Sequence, residues 1–131
     1  MVTIIRKHYP RVQAVYLFGS IGTEFEREDS DIDLALLFPA VEAKAIGHPA
    51  LSECWSELTS ATGRPVDLVN IRLVNTVFQH EIIQTGRILF NADKTAVDFF
   101  EMMTMSFYQR LNYERKAILE EIMQSKRVLN V

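Results

Sequence analysis

Val15-Tyr16-Leu17-Phe18-Gly19-Ser20 and, ten residues later, Asp31-Ile32-Asp33-Leu34-Ala35-Leu36-Leu37-Phe38 decide the fold of this chain. The run 12–18 is rich in β-branched and aromatic residues and stops at Gly19, the pattern of a buried strand. The second run begins as strict alternation and becomes continuously apolar. It reads as a strand that enters the core from an exposed end and is closed by Pro39. Between them, 21–30 is polar, crowded with Glu24, Glu26, Arg27, Glu28 and Asp29, and reads as a helical turn and exposed loop.

Working outward, 3–8 suits a short helix stopped by Pro10. The segment 49–62 has Leu51, Cys54, Trp55, Leu58 and Ala61 near helical spacing, with Gly63 as a C-terminal stop. Pro65 opens a short strand at 66–69. A helix over 75–85 carries Val77, Phe78, Ile82 and Ile83 on one face and ends at Gly86, and a last strand follows at 87–90. From 93 to 127 there is neither Gly nor Pro, which predicts one long helix with a stripe of Val97, Phe100, Met103, Phe107, Leu111, Ile118 and Ile122. Strands alternating with helices predict an α/β (α+β) domain built on a small mixed sheet flanked by helices. Residues 1–92 form its core, and 93–131 form a C-terminal helix of the same domain. Beyond Leu111 that helix outruns a small sheet, leaving Tyr113, Ile118, Leu119, Ile122 and Met123 exposed unless another chain covers them.

A chain of 131 residues is the size of one domain. Its formal net charge of −3 disfavours broad binding to nucleic-acid backbones. The single cysteine, Cys54, reads as a buried structural thiol, and His8, His48 and His80 as structural or surface residues. No apolar run approaches the roughly 18–20 residues of a spanning helix, and the N-terminus turns polar before a signal sequence forms. A cytoplasmic protein without membrane contact is expected.

The chemistry lies in the acids. Asp31 and Asp33, two apart in a strand, project to one face, and their mutual repulsion is relieved by a divalent cation. Oxygen donors select Mg²⁺ or Mn²⁺ over zinc. An isolated pair of this kind also marks an ordinary solvated strand start. Gly19-Ser20 shifts the balance, because glycine lets a backbone approach phosphate closely and free N–H groups with a hydroxyl hold its oxygens. Asp67, an acid inside the apolar strand at 66–69, adds a third carboxylate. If that strand lies beside the Asp31 strand, three acids converge on a two-metal site.

Leu17-Phe18-Gly19-Ser20, the ten-residue gap and Ser30-Asp31-Ile32-Asp33-Leu34 resemble the signature of the DNA polymerase β-type nucleotidyltransferase superfamily. The chain's size is similar to the minimal nucleotidyltransferase (MNT) branch, and Val66-Asp67-Leu68-Val69 matches the place of that family's third acid. The helix through Tyr108-Gln109-Arg110-Leu111 and Glu114-Arg115-Lys116-Ala117-Ile118 resembles that of MNT antitoxins paired with HEPN ribonuclease toxins. The resemblance implies transfer of AMP from ATP to a tyrosine hydroxyl of a partner toxin. Asp31 and Asp33 would bridge two Mg²⁺ ions, Asp67 would ligate the ion nearer the acceptor and help remove its proton, and Gly19 and Ser20 would grip the triphosphate.

The chain departs from the family in carrying Ile21-Gly22-Thr23-Glu24 where many members have arginines. Phosphate contacts then fall to Arg27, Arg72 or the toxin. Two other readings stand beside transfer to a toxin. One is a binding antitoxin that neutralises by occlusion, with a homo- or hetero-oligomer formed through the C-terminal helix. The other is a small-molecule nucleotidyltransferase, for which little chain remains to build a substrate domain.

Overall fold

A computed structural model describes residues 1–20, 24–27 and 30–129, with side chains as far as Ser125. The elements run α1 (Val2–His8), β1 (Ala14–Phe18), β2 (Ile32–Leu37), α2 (Ala40–Ile46), α3 (Glu53–Thr62), β3 (Val66–Asn70), a 3₁₀ turn (Ile71–Leu73), α4 (Thr76–Thr85), β4 (Arg87–Asn91) and α5 (Lys94–Leu129). The four strands form one mixed sheet in the order β3-β2-β1-β4. β1 pairs antiparallel with both β2 and β4, and β2 pairs parallel with β3. The α+β architecture expected from the sequence is therefore present.

Alternation along the strands divides the core into two layers. Val15, Leu17, Ile32, Leu34, Leu36, Val66 and Leu68 face Ile5 of α1 and Cys54 and Leu58 of α3. The opposite face, through Ala14, Tyr16, Ala35 and Leu37, packs on Ile82 of α4 and on Val97 and Phe100 of α5. A sheet buried on both faces explains why β2 reads as a continuous apolar run after Asp33. Cys54 is buried, as expected, and burial with the nearby Glu57 charge pushes its thiol up to about 11.

Several boundaries differ from the sequence reading. Pro39 does close β2, but it also stands at the N-cap of α2, a short helix that the pattern of 40–48 did not announce. α3 begins at Glu53 with Ser52 as its cap, the Ser52 hydroxyl accepting from the Trp55 N–H; Leu51 lies before the helix and is exposed. Val77 points outward, while Ile82 is fully buried. On α5 the stripe is interrupted by the buried Thr104, and Phe107 is already 47% exposed, so the helix leaves the core a turn earlier than its apolar pattern suggests. Of the expected turn and loop over 21–30, the stretches 21–23 and 28–29 lie outside the described residues. Glu24 and Phe25 form a simple turn.

Two side chains pin the β3 edge. Trp55 on α3 donates its indole N–H to the Val66 carbonyl at 2.7 Å. Asn70, fully buried at the other end of β3, donates from Nδ2 to the Ala43 and Gly47 carbonyls at 3.1 and 2.9 Å, closing the C-terminus of α2. His8 and Lys7 of α1 meet Glu57 of α3 at 2.9 and 2.8 Å, so His8 has a structural partner. At the outer edge, β4 carries a bulge: Val15 and Tyr16 face Phe90 and Ile88, leaving Leu89 as the extra residue. Asn70→Ala is expected to cost about 2 kcal/mol by freeing two carbonyls at the end of α2. Asn70→Asp, which also buries an acid against them, should cost more, and urea denaturation compares the two directly.

Candidate active site

β1 ends and β2 begins at the same edge of the sheet, because Phe18 stands opposite Asp33 in the antiparallel register. The parallel register on the other side sets Asp33 against Asp67, on neighbouring strands about 4.8 Å apart. Strand alternation puts both acids on the face that α4 and α5 cover, and Asp31 lies exposed one residue ahead of β2. The structure thus brings the three sequence-predicted acids to one strand end. Burial, followed by the charges of Asp67 and Asp31, pushes the Asp33 carboxyl above the usual carboxylate range.

Gly19 makes this arrangement possible. Its φ of +79° is a left-handed conformation, and a Cβ built on it would lie 2.1 Å from Asp33 Oδ2. Only a residue without a side chain lets the turn after β1 close over the Asp33 carboxylate. Ser20 follows in the same bend. The N-terminal side of β2 is held by the Ile32 N–H donating to the Pro65 carbonyl at 2.9 Å, which locks Asp31 and Asp33 to the entry of β3.

Do these residues suit a divalent cation? Among the described residues, no three His, Cys or acidic side chains stand as a ready-made metal cluster. The donor chemistry nevertheless fits a hard dication. The acids are acceptor-only oxygens at a partly wet strand end, their charges oppose one another, and the glycine cradle keeps a methyl group out of the space beside Asp33.

Beside Gly19 and Ser20 opens a cleft of about 730 Å³, walled by Phe18, Phe25 and Phe78 and reaching Glu81 and Thr85 on α4. Phe18 and Phe78 pack edge-to-face with centroids 5.8 Å apart. α4 approaches this closely because Gly86 ends it against β1, where a Cβ would meet the Ile82 and Leu17 carbonyls at 2.5 and 3.0 Å. A larger groove of about 910 Å³ runs between the start of α4 and α5, lined by Arg72, Asn75, Phe107, Leu111 and Arg115, and it shares Phe78 and Glu81 with the first. Periodicity could not reveal either cleft, since both arise from how α4 lies across the sheet.

Arg72 is not a phosphate ligand of this site. Its Nε donates to the Phe38 carbonyl at 2.5 Å, a terminal nitrogen donates to Gln13 Oε1 at 3.2 Å, and the guanidinium lies over the Phe100 ring. That is the far end of β2, five residues or roughly 16 Å from Asp33. Arg27 stays near the acids: its N–H donates to the Ser30 hydroxyl, just before Asp31. His80 stacks on Tyr108 at 3.6 Å and His48 is exposed, so neither histidine enters the site.

A small-residue turn closing on a carboxylate, beside a parallel-paired acid on a mixed sheet, is the core of a nucleotidyl-transferring fold, and the chain belongs to the polymerase β nucleotidyltransferase family, whose model matches residues 2–95. It is 32% identical over 123 residues to the protein adenylyltransferase MntA of Shewanella oneidensis, covering 94% of this chain and 85% of that protein. Among solved structures it is similar to a toxin–antitoxin crystallised with AMP-PNP (TM-score 0.71, 30% identity, 93% of this chain and 94% of that one). It is also similar to a complex of a tri-AMPylated Shewanella oneidensis HEPN toxin with its MNT antitoxin (TM-score 0.65, 30% identity, 93% and 92% covered).

Gly19→Ala is expected to leave a folded protein, because the Asp33 carboxylate can swing aside, but to cost about 1–2 kcal/mol through φ strain. Nucleotide transfer should fall at least about a hundredfold, because the carboxylate leaves its working position. A second expectation concerns pH. A carboxyl that binds its proton more tightly folded than unfolded stabilises the fold below the ordinary carboxylate range, and that contribution is lost as pH rises through its folded value. Asp33→Asn should therefore melt above the native chain at pH 7 without divalent cations. The gain should vanish at about pH 3, below the ordinary carboxylate range, as read by thermal denaturation at both pH values.

Proposed function

We propose that this chain transfers AMP from ATP to a tyrosine hydroxyl of a cognate HEPN-type toxin and so neutralises it, in the cytoplasm. The observation that carries the reading is the register that sets Asp33 beside Asp67 while Gly19 closes over the Asp33 carboxylate. Similarity to MntA and to the AMPylated toxin complex supports the acceptor class.

In this reading Asp31 and Asp33, together with Asp67, would hold two Mg²⁺ ions. The ions, when bound, offset the charge that develops on the leaving pyrophosphate. Gly19 and Ser20 hold the triphosphate through backbone N–H groups and the serine hydroxyl. The toxin's phenolic oxygen forms a bond to the α-phosphorus, the bond from that phosphorus to the bridging oxygen of pyrophosphate breaks, and Asp67 takes the phenolic proton. A phenol with an ordinary pKa of about 10 needs such a base near neutral pH.

α5 is the proposed partner-binding element. Its 36 residues span about 54 Å, and Ile118, Leu119, Ile122 and Met123 lie exposed along its outer half. No helix among the described residues is long and apolar enough to cross a membrane, so these apolar residues suit a protein surface. That stripe also favours a second contribution, neutralisation by binding alone.

Incubation with the cognate toxin, ATP and Mg²⁺, followed by intact-mass measurement, should show the toxin heavier by one or more AMP groups. Asp31→Ala/Asp33→Ala should abolish the mass shift while toxin binding remains. If that double variant protects cells as well as the native chain, occlusion is the mechanism; an unmodified toxin in the presence of the folded native chain would refute transfer.

A further inference from the structure

Ser20 is followed by Ile21-Gly22-Thr23-Glu24 where many members of the family carry arginines, and no basic side chain among the described residues lines the cleft beside Gly19. Cations held by the three acids offset the charge of the nearest phosphate, and the phosphates beyond it need a positive partner of their own. Other arginines are committed elsewhere. Arg72 is held at the far end of β2 by the Phe38 carbonyl. Arg87 stands opposite Leu17 at the start of β4 and shares its face, the one packed on α1 and α3, whereas Asp33 lies on the other. Arg64 is paired with Glu26 at 3.4 Å. Arg115 lines the groove between α4 and α5, not the cleft.

Arg27 is placed differently. Its backbone N–H donates to the Ser30 hydroxyl at 2.7 Å, and its carbonyl accepts from the Ser30 N–H at 3.1 Å. Two such bonds keep the Cα atoms of Arg27 and Ser30 under about 7 Å apart, and Asp31 follows Ser30 directly. On the other side of Arg27, Glu26 is tied by Arg64 to the entry of β3, where the Pro65 carbonyl holds Ile32, and Phe25 lines the cleft. The backbone around Arg27 is thus fastened to the acids on one side and to the cleft on the other. Its side chain is exposed and makes no ion pair or hydrogen bond among the described residues.

We infer that Arg27 holds the outer phosphates of ATP, those that leave as pyrophosphate, in place of the arginines missing after Ser20. A guanidinium presents a planar fork of donors that matches two phosphate oxygens at once. The α-phosphate belongs beside the acids, where its phosphorus is attacked, so a cation set back by the Arg27–Ser30 clamp meets the phosphates beyond it. Glu26, whose charge opposes this, is met by Arg64. The inference rests on the nucleotidyl-transfer reading above and adds to it the side chain that holds the leaving group.

The test compares Arg27→Ala with Arg87→Ala, which removes the same charge at the same edge of the sheet but on the opposite face. Calorimetry with Mg²⁺ and no toxin measures binding of AMP and of α,β-methylene-ATP, which cannot transfer its AMP; kcat/KM for transfer to the toxin is the second readout. Arg27→Ala should weaken α,β-methylene-ATP by about tenfold to a hundredfold, the range of hydrogen bonds to a charged group, and lower kcat/KM by a similar factor. AMP, which lacks the outer phosphates, should bind this variant within about twofold of the native chain, and Arg87→Ala should leave both ligands within that range. Equal losses in the two variants would reduce the effect to the general field of a positive charge and overturn the inference. An equal loss for AMP, or an unchanged affinity in Arg27→Ala, would overturn it too. So would a native chain that binds no analogue alone; if that chain still transfers AMP, the phosphate contacts lie on the toxin. Binding that depends on Arg27 without any transfer would count against the proposed activity and leave the role of Arg27 standing.

Discussion

Two like charges set side by side in a parallel strand pair are the constraint on which this fold turns. Asp33 and Asp67 are cross-strand neighbours, an arrangement that destabilises a sheet unless something else holds the register. Here that support comes from outside the strands. The Ile32–Pro65 backbone hydrogen bond fixes where β2 and β3 begin, Trp55 holds the Val66 carbonyl from α3, and Asn70 ties the far end of β3 to α2. Below Asp33 and Asp67 the two strands are fully apolar on one layer, through Leu34, Leu36 and Leu68. A one-residue slip of either strand would turn its acid into the α1/α3 layer and its leucines onto the α4/α5 face. The core's hydrophobic register thus keeps the acids together against their own repulsion.

The acids could be read from sequence because each broke a local rule. Asp67 interrupted an apolar strand, and Asp31 and Asp33 opened one. Strand periodicity then required both members of the Asp31/Asp33 pair to share a face. Gly19 was legible as a turn, but the reason for it was not: the carboxylate it must clear lies fourteen residues away and meets it only through antiparallel pairing. Arg72 shows the opposite failure. A lone arginine near an acidic strand looked available for phosphate, yet the crossover after β3 carries it to the far end of the sheet, where the Phe38 carbonyl and the Phe100 ring occupy it. The helix α2 was missed because seven residues with one buried side chain, Ala43, leave no apolar period to detect.

α4 links the two regions of the molecule. Its C-terminus abuts the end of β1 at Gly86, its inner face lines the cleft beside Gly19, and its first turn borders the groove against α5. His80 of α4 stacks flat on Tyr108 of α5, just where the long helix leaves the core. Phe78 and Glu81 line both cavities, so one short helix carries the wall of the cleft beside Gly19 and the floor of the groove beneath the tail. A protein docked along α5 would rest on the same helix that walls the cleft beside Gly19.

The bulge at Leu89 bears on how the chain survives alone in solution. β4 is an outer strand with Ile88 and Leu89 both partly exposed, and a flat strand of that composition would template further strands from other copies. The extra residue breaks the spacing of its outward N–H and C=O groups and increases its twist, so an incoming strand finds no continuous ladder. The free chain can therefore accumulate with an apolar sheet border and an apolar tail, yet resist stacking into fibrils through the sheet.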